Sequence, residues 1–323
     1  MFRTNSIFRG AIIALSMVVL ATAGYSQKSH KKSSTNDANH GHAIIWQKVD
    51  VARQDTYLGP GGAAMQPDVS HVELIKEEKG GHSKKYRVRD GAGNEWVAKV
   101  GDEAQSETAA VRLLSSLGYV TEVNYLIPKL TIKGAGTFSN VRLEARPSNV
   151  KRGKEWKWGH TPFEKTPQMK GLMMMMAFIN NWDMKSANNV IIHDGDLDKY
   201  VISDLGVSFG KTGSNPLPIF WRIGRSRNKP SDYARTRLVS GVSDYKVRVV
   251  YNGKNRSRMH DFTKEDARWL ADLLLQLSDA QIRDMFRAAN YSAGDIHTLT
   301  KAVKARITQL DRAAYDRRIA GLR

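Results

Sequence analysis

Asp183, Lys185 and Asn188 stand at D-x-K-x-x-N spacing, and Asp204-Leu205-Gly206 follows after a short apolar stretch. A carboxylate can orient a hydroxyl and accept its proton, and an ammonium can neutralise a phosphoryl group in transit. A carboxylate together with an amide oxygen supplies the hard oxygen ligands that magnesium prefers. These are the residue types that phosphoryl transfer asks for. The residues between Asn188 and Asp204 read as strand, turn and strand, with Asp194-Gly195-Asp196 as the turn. Such a hairpin would bring Asn188 and Asp204 back to one end, where they could share a metal.

Other readings of the same stretch are plainer. Asp194, Asp196 and Asp198 resemble part of a calcium loop, but Lys199 stands where the loop needs glycine, so a hairpin turn is the better reading. Met173 to Met176 fit a core helix beneath the site better than a soft-metal face. Asp204 alone could cap a turn. Its position after an apolar strand and before Gly206 favours the metal role.

The elements that must position these residues divide into two halves. Strands are expected over 71–76, 85–89 and 95–100, with Gly80-Gly81 and Asp90-Gly91-Ala92-Gly93-Asn94 as turns. A helix over 102–117 stops at Gly118. Strands over 123–132 and 138–145 flank a Gly134-Ala135-Gly136 turn. This half is a mostly antiparallel sheet carrying one helix. The second half has an apolar helix over 170–180, strands over 189–193 and 199–203, an irregular basic stretch over 207–260, and helices over 263–277, 279–289 and 295–321. Phe262, Trp269, Leu273 and Leu277 recur at helical spacing and should face the core.

The segment 180–206 resembles the catalytic and metal-binding loops of the protein-kinase-like superfamily. It is closest to atypical bacterial secreted members of HipA-type, aminoglycoside-phosphotransferase-like or spore-coat-kinase-like character. Val97-Ala98-Lys99-Val100 is similar to the family's lysine strand. The resemblance covers most of residues 71–290. It implies an α+β, two-lobed fold with an antiparallel-sheet N-lobe over 44–147 and a mainly helical C-lobe over 148–323. It implies Asp183 as the catalytic base and Lys185 as a contact of the transferring phosphate. Asn188 and Asp204 would hold Mg2+ (or Mn2+), and Lys99 would reach the phosphates of ATP. Glu107 would pair with Lys99, with Glu103 as the other candidate. Gly80 and Gly81 would cover the phosphates, because no side chain blocks their backbone. The pattern also departs from the family. Asn181-Trp182-Asp183 replaces His-Arg-Asp, the glycine turn reads GGHSKK, Glu107 follows Lys99 closely, and no Ala-Pro-Glu anchor is found. These departures leave the acceptor unspecified and leave room for a member without turnover.

Residues 1–26 have the layout of a secretory leader. Arg3 and Arg9 precede an apolar run from Ala11 to Ala23, with cleavage expected after residue 23 or 26. Residues 24–43 read as a disordered linker. A periplasmic or extracellular protein without a transmembrane segment is therefore expected. The absence of cysteine excludes disulfides, thiolate metal sites and a cysteine nucleophile. The 323-residue chain carries 50 Lys and Arg against 32 Asp and Glu. That balance suits an acidic or phosphorylated partner, or a surface rich in solvated arginine. No nucleic-acid motif is present. Three functional readings follow: a phosphotransferase acting on a protein or small-molecule hydroxyl, an exported pseudokinase that binds without turnover, and a basic protein that binds envelope polyanions.

Overall fold

The computed structural model describes residues 41–79, 83–213 and 224–315. The leader, most of the linker, Gly80, Gly81 and Arg222 lie outside the described residues.

Strand β1 (His42–Ile44) opens the fold. It is followed by β2 (Glu73–Glu78), β3 (Lys84–Arg89) and β4 (Glu95–Val100). Helix α1 spans Glu103–Ser116, and β5 (Asn124–Ile132) and β6 (Gly136–Ala145) complete the first half. The antiparallel sheet runs β2-β3-β4-β6-β5. Its two edges also meet, because Leu74 N donates to Lys133 O and Lys133 N to Val72 O. This single bridge, Glu73 beside Lys133, ties the two edges at one point. The turn between β3 and β4 is fastened by Asp90, whose carboxylate accepts from the Ala92 and Asn94 amides and from the Trp96 indole.

β4 explains how a lysine comes to be buried. Trp96 and Ala98 face the sheet's own core, with Tyr86, Val88, Val141 and Leu143. Strand alternation then turns Val97 and Lys99 to the opposite face, against α1. Both faces of the strand are covered, so Lys99 is 2% exposed.

The second half begins with β7 (Lys151–Arg152) and α2 (Pro167–Phe178). Thr166 caps α2 by accepting from Met169 N, with Pro167 at the first helical position. Met173 to Met176 are all buried in the large core, as a core helix requires. β8 (Asn189–Asp194) and β9 (Leu197–Ile202) form the expected hairpin, with Gly195 at positive φ in its turn. The DGDLD run is that turn. Next come α3 (Pro230–Ala234), β10 (Val239–Val242), β11 (Lys246–Val249) and β12 (Phe262–Thr263). Helices α4 (Lys264–Leu274), α5 (Asp279–Ala288) and α6 (Ala293–Tyr315) close the described chain. Capping boxes at Thr263/Asp266 and Ser278/Gln281 start α4 and α5.

Two expectations need correction. The linker does not extend to residue 43, because His42–Ile44 pairs in parallel with β9. The stretch 207–260 is not simply irregular; it contains α3, β10 and β11. The expected core-facing stripe is present, since Phe262 and Leu277 are buried and Trp269 and Leu273 pack against the large core, beside Ala267, Leu270, Ala271 and Leu274 of α4. Trp269 is placed there by edge contacts with Trp46 and Tyr119. Among the described residues, no helix is long and apolar enough to cross a membrane.

A candidate phosphoryl-transfer cleft

Asp204 ends β9's run into the cleft and sits at φ +52°, in the left-handed region that Asp and Asn tolerate better than most residues. That backbone turn directs its carboxylate toward β4. Lys99 Nζ lies 2.8 Å from Asp204 Oδ1, 2.9 Å from Glu107 Oε2 and 2.8 Å from Glu103 Oε2. An ammonium has three N–H donors. Glu107 and Asp204 accept hydrogen bonds from it and Glu103 is an ion-pair partner, so both glutamates named from sequence touch the lysine. Burial pushes the Lys99 ammonium down, but Glu107, Asp204 and Glu103 outweigh it and the net shift is upward. Burial also opposes ionisation of Asp204, but Lys99 holds its carboxyl below the usual range.

The two glutamates have different second partners. Glu107 Oε1 meets Arg142 Nη1 at 3.1 Å, inside the fold. Glu103 meets Arg227 Nη1 at 2.6 Å and accepts from Ser83 Oγ at 3.0 Å, near the cleft mouth. Glu107 is thus the internal anchor, and Glu103 links α1 to the segment after Asp204.

Asp183 occupies the other wall. Asn181 Oδ1 accepts from the Asp183 amide at 3.0 Å and sets the loop's direction. Lys185 Nζ is 2.9 Å from Asp183 Oδ2, and Lys254 Nζ is 2.7 Å from Asp183 Oδ1. Burial raises the Asp183 carboxyl, but the two lysines outweigh it and hold it below the usual range. Asn188 Nδ2 donates to the Asp183 carbonyl at 2.9 Å, and Asn188 O accepts from Ser203 N at 2.9 Å. The hairpin between them therefore brings Asn188 and Asp204 to one end, as the sequence spacing requires.

Two cavities meet at this point. One, of about 270 Å³, is lined by Lys99, Asp183, Lys185, Asp204, Arg227 and Lys254. The other, of about 200 Å³, is lined by Lys99, Glu107, Arg142, Glu144, Asn188 and Asp204. Lys99 and Asp204 border both. Another cavity, about 590 Å³, is lined by Tyr119, Glu122, Arg146 and Pro147 among others and by none of Lys99, Glu107, Asp183, Lys185, Asn188 or Asp204.

Sequence reading missed several members of the site. Arg142 is paired with Glu107 and, at 2.6 Å, with Glu144. Glu144 also binds Arg146, and Arg152 binds Glu122 at 2.8 Å. Ser203 Oγ closes this chain of charges on Glu122 at 2.7 Å. The available signal was alternation, since Arg142, Glu144 and Arg146 share one face of β6. Lys254 had no such signal, because it lies in the stretch read as irregular.

The basic stretch is largely spoken for. Arg225 stacks over Trp182 at 5.0 Å, and Lys211, Lys229 and Arg235 surround Asp232.

A divalent cation fits the donors present. Asp204 and Asn188 offer hard oxygens on one cavity, and magnesium commonly takes one or two protein oxygens and fills the rest with water and phosphate. Among the described residues there is no group of three or more His, Asp or Glu arranged as a closed metal cage.

No protein-family model matches the sequence, and no curated protein does. Among solved structures the chain is similar to a Helicobacter pylori proinflammatory kinase, CtkA, at TM-score 0.46 and 11% identity, over 77% of this chain and 97% of that one. It is also similar to the Golgi casein kinase, at TM-score 0.38 and 9% identity, over 79% of this chain and 76% of that one. A form of that kinase with Mn and ADP bound gives TM-score 0.36 and 8% identity, over 79% and 75% of the two chains. In the described residues, an antiparallel sheet half is followed by a largely helical half, with a charged cleft that residues of both line.

Proposed function

We propose that the chain is a phosphotransferase that uses ATP and a divalent cation and acts on a hydroxyl acceptor. The observation that carries this reading is the convergence of Lys99, Asp204, and the Asp183–Lys185 pair on one cavity from three separate parts of the chain. The acceptor oxygen attacks the γ-phosphorus, the bond to the bridging oxygen breaks, and ADP leaves. Asp183 orients the hydroxyl and takes its proton. Lys185 balances charge on the group in transfer, and Lys99 holds the remaining phosphates once they take the place of Asp204 beside it. Asp204 and Asn188 are the residues that would hold the metal, which supplies charge neutralisation at the phosphates. The cations lining the cavity, Lys85, Lys185 and Arg227 among them, favour an acceptor with acidic character. Export by the N-terminal leader belongs to the same proposal and rests on residues 1–26.

A second reading has its own observation. Lys99 already has three carboxylate partners, and both Asp183 oxygens are already engaged within the chain. A pseudokinase that binds nucleotide without turnover would keep such a network. Incubation with γ-labelled ATP and Mg2+ or Mn2+ separates the two. Label transfer that is lost in Asp183→Ala supports the phosphotransferase. Nucleotide-dependent thermal stabilisation without transfer supports the pseudokinase. No effect of nucleotide with either metal overturns both, and salt-sensitive binding to anionic polymer alone would then favour a polyanion-binding protein.

A further inference from the structure

The loop Tyr251–Asn255 touches three successive residues of the segment that carries Asp183. Lys254 N donates to Trp182 O at 2.9 Å. Lys254 Nζ meets Asp183 Oδ1 at 2.7 Å. Asn255 Nδ2 donates to Met184 O at 2.6 Å. The approach is close enough to need Gly253: a Cβ there would lie 2.6 Å from Trp182 O and 2.4 Å from the Tyr251 hydroxyl oxygen. Asn255 takes φ +56°, which asparagine tolerates. The loop is braced from behind as well. The buried Tyr251 donates its hydroxyl to Lys254 O at 3.1 Å, and Arg225 Nη2 donates to Asn252 O at 2.8 Å.

We infer that Lys254 is a positioning residue for Asp183 and that the Tyr251–Asn255 loop is its mount; this rests on the phosphotransfer reading above. The geometry gives the reason. Asp183 has two carboxylate oxygens, and Lys185 and Lys254 take one each. The two ion pairs, one on each oxygen, oppose rotation of the carboxylate about its last bond. With Lys254 removed, only Lys185 and the distant Asn188 amide, at 3.4 Å, restrain it. The Lys254 side chain is 49% exposed, so its ion pair adds little to stability. Its effect therefore belongs to the orientation of Asp183, on which an attacking hydroxyl depends.

The test uses the full chain with labelled ATP and Mn2+, comparing wild type, Lys254→Met and Lys254→Arg. Lys254→Met should keep the wild-type Tm and the KM for ATP within about twofold, while kcat falls on the order of 10- to 100-fold. Lys254→Arg restores a cation and should recover most of that loss. An unchanged kcat in Lys254→Met overturns the inference while leaving the phosphotransfer reading intact. A raised KM at unchanged kcat also overturns it, because Lys254 would then bind substrate rather than hold Asp183. If wild type itself transfers no label, the phosphotransfer reading fails and this inference falls with it. Gly253→Ala gives an independent check: crowding Trp182 O should lower kcat by a similar factor, and full activity in that variant would mean the loop does not set the geometry.

Discussion

Lys99 and Asp204 are 105 residues apart in sequence and 2.8 Å apart in the fold. Their contact joins the sheet half to the hairpin that carries Asn188, and Lys99 also pairs with Glu103 and Glu107. Any ligand phosphate that reaches Lys99 must displace one of three carboxylates. Asp204 is the one to leave, since its side chain is 39% exposed against 9% for Glu103 and 2% for Glu107. Metal and phosphate together offer Asp204 and Lys99 the replacements each one needs.

Lys99→Met should therefore cost stability as well as function. It leaves Glu107 and Glu103 buried without their shared cation, a loss of about 3–5 kcal/mol by analogy with other broken buried pairs. Urea denaturation of the two proteins measures it. A loss below about 1 kcal/mol would mean that Arg142 and Arg227 suffice to hold the glutamates.

The two glutamates should separate by the same measurement. Glu107→Gln strips a partner from both Lys99 and Arg142, which are 2% and 3% exposed, and should cost about 3–5 kcal/mol. Glu103→Gln sits nearer the mouth, where Ser83 and Arg227 meet solvent more readily, and should cost about 1–2 kcal/mol. Equal losses would contradict the assignment of Glu107 as the anchor.

Asp204→Asn keeps a residue that accepts positive φ, so the fold should survive. The carboxylate that would meet the metal is gone. If wild type is assayed at about 100 times its Kd, nucleotide and metal should stabilise it by about 2.7 kcal/mol, and the variant should lose most of that shift. Thermal melts with and without Mn2+ and ATP read it directly. An undiminished shift in the variant would remove Asp204 from the metal site.

Acid should loosen the charge chain behind the cleft. Burial opposes ionisation of Glu144, but Arg142, Arg146 and Arg152 hold its carboxyl well below the usual range. A folded-state value below the unfolded value of about 4.3 gives stability that is complete above that pH and declines as pH falls through the folded value. Wild type should thus lose stability progressively below about pH 4, and Glu144→Gln should flatten that decline while starting from a lower plateau. Chemical denaturation between neutral pH and pH 3 checks the slope, and identical slopes would exclude Glu144 as a source.

Much of the fold was legible because its signals are local. The Asp90 to Asn94 turn, the β4 strand, the Thr263 and Ser278 helix starts and the β8–β9 hairpin each rest on a few adjacent residues. The layout, a sheet half followed by a largely helical half, follows from their order. What the sequence did not show depends on distant partners. Arg142 looks like any strand arginine until Glu107 is placed opposite it. Lys254 looks like part of a basic loop until Gly253 lets that loop lie against Trp182. β1 was hidden for another reason: three residues next to a polar run carry too little pattern, and β9 supplies the pairing.

Helix α1 carries Glu107, yet Val111, Leu113, Leu114 and Leu117 at its far end belong to the large core shared with α2, α4 and α6. Gln105 reaches the Asn290 carbonyl, and Thr56, ahead of the sheet, reaches Gln281 on α5. Moving α1 outward would expose several of these side chains at about 1.5–3 kcal/mol each. The helix is thus a fixed beam rather than a lever. The Lys99–Glu107 pair therefore stands on a helix whose far end is anchored in the large core.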